Sequence, residues 1–554
     1  MPVLYFVVMV GVLVFVHELG HFLWARVFGV RVLRFSLGFG PRIAGFQRGG
    51  TDYVISALPL GGYVRMLGEN PRDEIRPADE VGSIAHQSIW RRFVIAVGGP
   101  LMSLTFPVLL YFVVFLGDTR LTPSTIGLVL PNRPASGKLL PGDQVVEIDG
   151  APIETFYDLT RIVERSPGKP LRFAVQRNGK RVEETIEPVA DFAELPLEVR
   201  KRVGRIGIVP NHPLAVIGVG SATSPAASAR LRTFDVVVAA AGRPIDRFLD
   251  LERALERNRG TLVPLTYLRP TTVHGALGGL FDLDLYEPRV AALTPEPGKG
   301  DALGRAGIEL ADLYVSDVIA GSPEQRIGLL SGDRLLALDG RETSMWAAFV
   351  EDLREGRGVE HELRWRHDEQ EHTARFALEH EHGVTEHGQD YDRYVLGIRN
   401  WVPSRLDASV PNPHPLVYAA RESVRATTEV VELTLVSILR LMQGRLSIKS
   451  IGGPLTIFDV AGTAARQGAL NYLTLMAFIS INLGLINLLP IPLLDGGHLL
   501  FLLWEVVARK PLSVKLREYA HIAGLLMLLA IMILAFKNDL ERQWPQIVDD
   551  LTAE

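Results

Sequence analysis

The stretch VFVHELGHFLW, residues 14–24, lies inside a long apolar segment near the start of the chain. It carries two histidines, His17 and His21, with Glu18 directly after the first. Residues at positions i and i+4 of an α-helix project from one face, so both imidazoles can face one metal ion while the glutamate lies beside it. Ionisable groups are costly in lipid, and their presence in an apolar helix indicates function. The stretch therefore predicts a metal site inside a membrane.

Apolar stretches that approach the roughly 20 residues needed to cross a membrane occur at four places. They span residues 2–24, 93–117, 472–494 and 519–536. The first has no lysine or arginine before Arg26, so it lacks the basic start of a cleavable signal peptide and is predicted to be a retained helix. We expect a polytopic α-helical membrane protein with four transmembrane helices, a membrane-associated β-hairpin region and inserted α+β domains.

The composition is intermediate between a soluble and a fully membrane-embedded protein. The 554 residues are 47% apolar and 22% charged, which fits three or four domains of mixed character. The net charge of -5 is small and no basic run is interleaved with aromatic residues, so we expect no nucleic-acid partner. The sequence has no cysteine, which excludes disulfides, thiolate nucleophiles and cysteine–zinc sites.

The distribution of basic residues predicts the orientation, because cytoplasmic loops are enriched in lysine and arginine. Residues 25–92 are rich in arginine, and the short link 495–518 is also basic, whereas the tail after Phe536 is not. Both termini and the long region 118–471 should then lie outside the cytoplasm. In a bacterial inner membrane this places the insert in the periplasm and the histidine motif near the cytoplasmic side.

The long insert contains copies of one pattern, a Gly-Asp turn followed by a strand and an Asp-Gly hairpin. It reads LPGDQVVEIDG at residues 140–150, LSGDRLLALDG at 330–340, and in a degraded form RTFDVVVAAAG at 232–242. The pattern resembles PDZ domains, small sheets whose groove takes an extended peptide as an added strand. The two outer copies are predicted to be PDZ-like. The middle copy is left open between a PDZ-like domain and another small β domain.

The predicted organisation follows the chain in order. It comprises a first membrane region with the histidine helix, a glycine-rich β segment and a second helix (1–117), PDZ-like domains (122–190 and 306–382) with a degenerate copy between them (203–290), an amphipathic juxtamembrane helical segment (411–446), and a second membrane region with the Leu-Asp-Gly motif and the last helix (447–554). The histidine- and acid-rich stretch 367–387 is predicted to be an exposed loop without a metal.

Catalytic zinc sites commonly have three protein ligands, so a third donor is needed. The next glutamate after His21 is Glu69 and the next histidine is His86, and neither lies in a recognisable downstream motif. Asp495 is the better candidate, within NLLPIPLLDGG at residues 487–497. The prolines of this segment break a helix at membrane depth, where freed backbone groups are tolerated if they line a cavity in the protein.

These features together resemble the site-2 protease family, in the type of the bacterial regulator of sigma-E protease. The resemblance rests on the histidine motif, on Asn-x-x-Pro-x-Pro-x-x-Asp-Gly at 487–496 and on PDZ-like copies between the second and third helices. The segments GFGP at 38–41, PLGGYV at 59–64 and Gly99-Pro100 match as well. The resemblance implies a zinc endopeptidase that cuts a transmembrane helix of another protein near the cytoplasmic leaflet of the lipid bilayer.

The resemblance also implies roles for individual residues. His17, His21 and Asp495 would bind Zn²⁺, Glu18 would be the general base, and Asn487 would help to hold the substrate backbone or the oxyanion. The implied substrate is a single-span membrane protein, such as an anti-sigma factor, released after an earlier cut has shortened its outer domain. The PDZ-like domains would bind peptides or outer-domain ligands and act as a size filter or peptide sensor.

The chain departs from the family pattern at two points. It has Ser103 where the family often has asparagine three residues after the Gly-Pro, and it has three PDZ-like copies where two are usual. Asn482 is expected to bond between helices, and His498 is expected to be near the metal site or exposed; neither belongs to the predicted ligand set.

Two alternatives remain open from the sequence. The glycine-rich segment 35–66 is predicted to pair an open sheet edge with the substrate, although it could instead be a hairpin that only packs. The whole chain could also be a PDZ-bearing membrane scaffold or chaperone with a structural metal site. Structural zinc sites use four protein ligands and only three can be named here, which favours the enzyme.

Overall fold

The structure is a computed structural model that describes residues 2–69, 75–117, 120–195, 199–275, 281–298, 300–356, 358–384, 390–444 and 446–552. Its α-helices are α1 (Pro2–Val27), α2 (Ile89–Leu116), α3 (Phe156–Glu164), α4 (Pro225–Ser228), α5 (Phe248–Arg257), α6 (Ala302–Ala306), α7 (Pro323–Arg326), α8 (Trp346–Glu355), α9 (Pro415–Met442), α10 (Pro454–Gln467), α11 (Ala469–Asn487), α12 (Asp495–Ala508) and α13 (Val514–Thr552).

The strands fall into a sheet near the first helix and a long series in the insert. The former are β1 (Val32–Arg48) and β2 (Thr51–Met66). The latter are β3 (Arg120–Leu121), β4 (Leu128–Val129), β5 (Gln144–Ile148), β6 (Ala151–Pro152), β7 (Leu171–Arg177), β8 (Lys180–Ile186), β9 (Val189–Leu195), β10 (Val199–Arg205), β11 (Ile208–Val209), β12 (His212–Pro213), β13 (Ile217–Val219), β14 (Val236–Ala240), β15 (Arg243–Pro244), β16 (Val263–Gly275), β17 (Phe281–Leu293), β18 (Ile308–Leu310), β19 (Asp317–Val318), β20 (Arg334–Leu338), β21 (Arg341–Glu342), β22 (Glu360–His367), β23 (Gln370–Ala377), β24 (Glu379–Val384), β25 (Asp390–Val395), β26 (Ile398–Arg399), β27 (Ser404–Arg405) and β28 (Val410–Pro411).

Four of the described helices are long and apolar enough to span a membrane. They cover Val3–Val27, Ile89–Leu116, Ala469–Asn487 and Val514–Glu541. The third ends at Asn487, so the prediction of one run to residue 494 is wrong. Proline removes a backbone donor and disfavours a continuing helix, and the two prolines that follow, Pro490 and Pro492, lie between α11 and α12. The Leu-Asp-Gly motif therefore opens a helix of its own.

The apolar helices pack closely around α2. A Cβ atom on Gly20 would lie 2.1 Å from the carbonyl oxygen of Gly98, so α1 and α2 cross at a point where only glycine fits. The amphipathic segment predicted before the second membrane region is the helix α9, which lies against α2 and α11. Its inner face adds to an apolar cluster that includes Met9, Leu110 and Ile481.

The glycine-rich region after α1 is a sheet in which both strands double back on themselves. Residues 32–37 pair with 62–66 on one side and with 52–55 on the other, while 42–48 pair with 51–56. Gly38 has a φ of +89° at the bend of β1, a conformation that glycine adopts without a steric cost. The predicted hairpin is therefore larger, with four pairing segments and one edge at residues 62–66.

The insert consists of three repeats with one layout. Each has a four-stranded antiparallel sheet, in the orders β6-β5-β7-β8, β15-β14-β16-β17 and β21-β20-β22-β23, with α3, α5 or α8 beside it. Each has its own apolar core, centred on residues such as Phe173, Leu265 and Phe349. The degraded middle copy thus adopts the same element order as its neighbours.

The boundaries of the repeats differ from those predicted. A short strand closes each repeat by pairing with its opening strand: β11 with β4, β13 with β18, and β19 with β26. Residues 203–209 therefore complete the first repeat and residues 306–310 complete the second, whereas both had been assigned to the repeat that follows. The histidine-rich stretch is likewise not a loop, because residues 370–384 form β23 and β24; residues 385–389 lie outside the described ranges.

Candidate metal centre

His17, His21 and Asp495 meet in the interior of the helical bundle. Nε2 of His17 is 3.1 Å from Oδ2 of Asp495, and Nε2 of His21 is 3.4 Å from Oδ1. One donor atom from each residue lies within 4.8 Å of the others, and among the described residues this is the only such group of three or more. Both histidines are less than 10% exposed. The helical spacing of the motif and the break before Asp495 thus produce one cluster of donors.

The outer ring nitrogens of the histidines fix the direction in which each imidazole points. Nδ1 of His21 is 2.8 Å from the carbonyl oxygen of Ile95, and Nδ1 of His17 is 3.0 Å from Oγ of Ser103. A carbonyl can only accept, so Nδ1 of His21 carries a proton, which leaves Nε2 free to be the metal-binding atom. Two imidazoles with one carboxylate are a donor set that zinc accepts.

Helix α2 makes room for the two imidazoles at Gly99. A Cβ atom there would lie 2.3 Å from Nε2 of His21 and 2.8 Å from Nε2 of His17. Four residues on, the carbonyl oxygen of Ser103 accepts a hydrogen bond of 2.8 Å from Oγ of Ser480 on α11, which holds this part of α2 in place. The sequence drew attention to Ser103 as a departure from the family pattern but gave no reason to place it against a histidine.

The segment before Asp495 folds back over the first turn of α12. Cβ atoms on Gly496 and Gly497 would lie 2.1 Å from the carbonyl oxygen of Leu489 and 2.5 Å from that of Ile491. The two glycines after the aspartate are therefore needed for this close return of the chain.

Further along α12, Glu505 accepts two hydrogen bonds from Arg92 of α2, of 2.6 Å and 3.0 Å. Sequence reasoning missed this pair because the two residues are far apart along the chain.

The remaining predicted site residues lie close to the metal donors. The half-buried Glu18 is next to His17 and faces Gly62 of the sheet edge, where an added Cβ would be 3.3 Å from its Cγ. The side-chain amide of Asn487 is 3.4 Å from Nε2 of His17. The structure therefore brings Glu18 and Asn487 to the same place, although their roles stay predictions.

The two residues left out of the ligand set lie elsewhere. Asn482 bonds to Oγ1 of Thr434 on α9 at 3.2 Å, which confirms a contact between helices. His498 is exposed and its ring faces His521 of α13, with 6.0 Å between the ring centres.

Two imidazoles and one carboxylate, held between helices of membrane length with a further carboxylate beside them, define the class of membrane-embedded metallopeptidases. Residues 5–531 match the model of Peptidase family M50. The chain belongs to this family and is an intramembrane zinc metalloprotease, as the sequence predicted.

Curated relatives match over almost the whole chain. A protein of Neisseria meningitidis named as a zinc metalloprotease is 29% identical over 542 residues, 97% of this chain and 98% of the relative. The regulator of sigma-E protease of Salmonella typhimurium is 27% identical over 549 residues, and that of Escherichia coli K12 is 27% identical over 548, with the same shares covered. A PDZ domain of Listeria innocua is 22% identical over 16% of this chain and 91% of its own, with a TM-score of 0.13, too low to carry weight.

Proposed function

We propose that this protease hydrolyses a peptide bond in or near the transmembrane segment of a single-span regulator, as a step of regulated intramembrane proteolysis. The observation that carries the proposal is the cluster of His17, His21 and Asp495 between helices of membrane length. Relatives named as regulators of sigma-E protease support a membrane-tethered, anti-sigma-factor-like substrate.

We assign Zn²⁺ to His17, His21 and Asp495. Zinc held by these residues would bring the pKa of a coordinated water to about 7 and would polarise the carbonyl of the bond to be cut. Glu18 accepts one proton from the water as the water oxygen bonds to the carbonyl carbon. The same carboxylic acid then gives the proton to the amide nitrogen as the carbon–nitrogen bond breaks, so the residue ends in its starting form.

Substrate positioning is assigned to Asn487 and to the sheet edge at residues 62–66. A helical substrate shields its own amide groups, and pairing with an open edge would hold it extended for attack. The close approach of Gly62 to Glu18 supports this role, since a strand added to that edge would run beside the general base. The amide of Asn487, close to Nε2 of His17, would contact the substrate backbone or the oxyanion.

The protein is assigned to the inner membrane. The arginine-rich residues 25–92 support a cytoplasmic location for the sheet and for the nearby ends of α1 and α2. The repeats would then lie in the periplasm, where PDZ-like grooves could bind peptides or outer-domain ligands and exclude substrates that are still too large.

The decisive experiment compares wild-type protein with Glu18→Gln in vesicles that contain a single-span substrate. We expect cleavage to fall by about 10²- to 10⁴-fold, the usual contribution of a general base, while the zinc content stays at the wild-type level. Glu80→Gln, a change at an exposed glutamate, serves as the matched control. Unchanged cleavage in the Glu18→Gln protein would remove the general-base role.

A further inference from the structure

Each repeat contains a buried aspartate that binds the turn before its first long strand. The residues Asp143, Asp235 and Asp333 are at most 1% exposed. Each accepts a hydrogen bond of 2.8 to 2.9 Å from a backbone N–H three residues earlier in the chain. Each also receives a side chain that lies 34 residues further on, in the third strand of the sheet order.

The residue that meets the aspartate differs in the third repeat. Arg177 and Arg269 each hold their aspartate with two hydrogen bonds of 2.7 to 2.9 Å, and each guanidinium also bonds a turn carbonyl. In the third repeat the partner is His367, whose Nδ1 is 2.5 Å from Oδ1 of Asp333. An arginine is charged at every physiological pH, whereas a histidine changes charge within that range.

The hairpin that carries His367 also contacts the second repeat. Glu369, two residues on, accepts hydrogen bonds of 2.9 Å from Oγ of Ser221 and from the backbone N–H of Ala222. Beside it, Glu309 of the second repeat accepts two hydrogen bonds of 2.7 Å from Arg334. The strand with the histidine therefore lies at the contact between the second and third repeats.

The charges around His367 give the sign of the pH effect. The hydrogen bond that His367 donates to Asp333, together with the charge of that aspartate, raises the pKa of His367. Slight burial works against this rise, and the charge of Asp368 at 3.8 Å adds to it. The neighbouring Arg366 lies within 4.0 Å of Glu309. A raised pKa means that the added stability is complete below the ordinary histidine pKa and is lost as the pH rises through the folded-state pKa.

A second histidine–aspartate pair occurs in the same repeat. His361 holds a core position that Leu171 and Val263 hold in the other repeats, and it is 4% exposed. Its Nδ1 is 2.7 Å from Oδ2 of Asp339, and its Nε2 is 3.1 Å from the carbonyl oxygen of Gly356. Both partners are acceptors, so this ring is held by polar contacts at a position where the other repeats have an apolar side chain.

Burial works to raise the pKa of the Asp339 carboxylate. The hydrogen bonds that it accepts from His361 and from the backbone of Glu362, together with the charge of Arg341, outweigh burial and hold this pKa below its usual range. This carboxylate therefore stays charged in the pH range in which histidine titrates. The pair of His367 and Asp333 favours the acidic side of that range.

We propose that the third repeat is strengthened by acid, in that protonation of His367 stiffens the repeat and its contact with the second repeat. In alkaline medium the same contact loosens, while strands β7 and β16 of the first and second repeats, which carry arginine in place of His367, keep their protection. The mobility of the end of the insert would thus follow the pH of the compartment it faces. This regulation is separate from the chemistry at the metal.

The test is hydrogen–deuterium exchange of the full-length protein in lipid nanodiscs at about pH 6 and about pH 9, corrected for the intrinsic pH dependence of exchange. We expect the exchange protection factors of residues 360–377 and 217–223 to fall about two- to fivefold at the higher pH. This is the change expected when a partly exposed ion pair is lost. Strands β7 and β16 are internal controls, because they carry Arg177 and Arg269, the arginines that bind the buried aspartates of the first and second repeats.

His367→Arg restores the pairing of the other repeats. We expect the pH response of residues 360–377 to vanish in this variant, with protection kept at both pH values. An equal response in wild-type protein and the His367→Arg variant, or an equal response in β7 and β16, would overturn the proposal.

Discussion

At the scale of single residues, the metal site depends on contacts that lie outside the sequence motif. His17, Glu18 and His21 could be read from the chain because a helix places i and i+4 on one face. Ser103 could not, because its contact with His17 arises from the crossing of two helices. A hydroxyl and a carbonyl on α2 together orient both imidazoles.

We predict that Ser103→Ala lowers the zinc affinity about 10- to 100-fold, the usual effect of removing a partner of a metal-bound histidine. The ring of His17 loses the contact with Oγ that fixes its orientation. Titration with a competing chelator measures the change. Thr105→Ala on the same helix is the control, since its hydroxyl bonds only to helix carbonyls; equal affinities in both variants would contradict the role of Ser103.

The hairpin of the middle repeat shows how a degraded sequence keeps a fold. Ala241 has a φ of +50°, the value that Asp149 and Asp339 adopt at the matching position. Aspartate tolerates this left-handed region better than alanine, so the copy retains the turn at a steric cost.

Ala241→Gly should therefore stabilise the middle repeat by about 1 kcal/mol, because glycine adopts positive φ freely. The residue is exposed, so no packing is lost. Exchange protection of β14 and β16 in the full-length protein reports the gain, and a fall in protection would show that the turn is not strained.

At the scale of elements, most of the fold was predictable, including the proline break before Asp495, whereas the end of the third membrane helix was placed too late. The periodic apolar runs gave the membrane helices, and repeated turn signals gave the domains of the insert. The sequence did not show that α12 is a separate helix, because its apolar residues continue those of α11. It also did not show that two strands would double back into four pairing segments, since this depends on packing against α1.

The pair of Arg92 and Glu505 should position α12, and with it Asp495. Both side chains are about one-fifth exposed or less, so removing one leaves a poorly solvated charge. We predict that Glu505→Ala weakens zinc binding and lowers stability by about 1 to 3 kcal/mol. A double-mutant cycle that combines Glu505→Ala with Arg92→Ala, followed by thermal unfolding, should give a coupling free energy of about 0.5 to 3 kcal/mol between the two residues. Additive effects of the two substitutions would mean that the residues act separately.

At the scale of the molecule, the two ends of the insert meet each other, and the first repeat contacts the membrane helices. Its entry strand β3 pairs with its exit strand β28. Tyr157 of the first repeat donates a hydrogen bond to Glu422 of α9 and contacts the ring of Tyr418, which in turn meets Phe115 of α2. The first repeat is thus fixed to the bundle by side chains as well as by the chain.

A second pair of short strands encloses the other two repeats. His212 and Pro213 of β12 pair with Arg405 and Ser404 of β27. Removing residues 214–403 and joining Pro213 to Ser404 through an Asn-Gly turn should leave the metal site and the first repeat folded. Metal analysis should find wild-type zinc content, and exchange protection of β7 should be unchanged; loss of either would show that the removed repeats support the rest.

The pairing of β12 with β27 inside that of β3 with β28 has a consequence for how such a chain can arise. A segment whose two ends already lie side by side can be gained or lost as one block, because the flanking backbone need not move to close the gap. The β12–β27 pair is therefore nested within the β3–β28 pair. The second and third repeats can therefore be gained or lost together while the metal site and the first repeat stay intact.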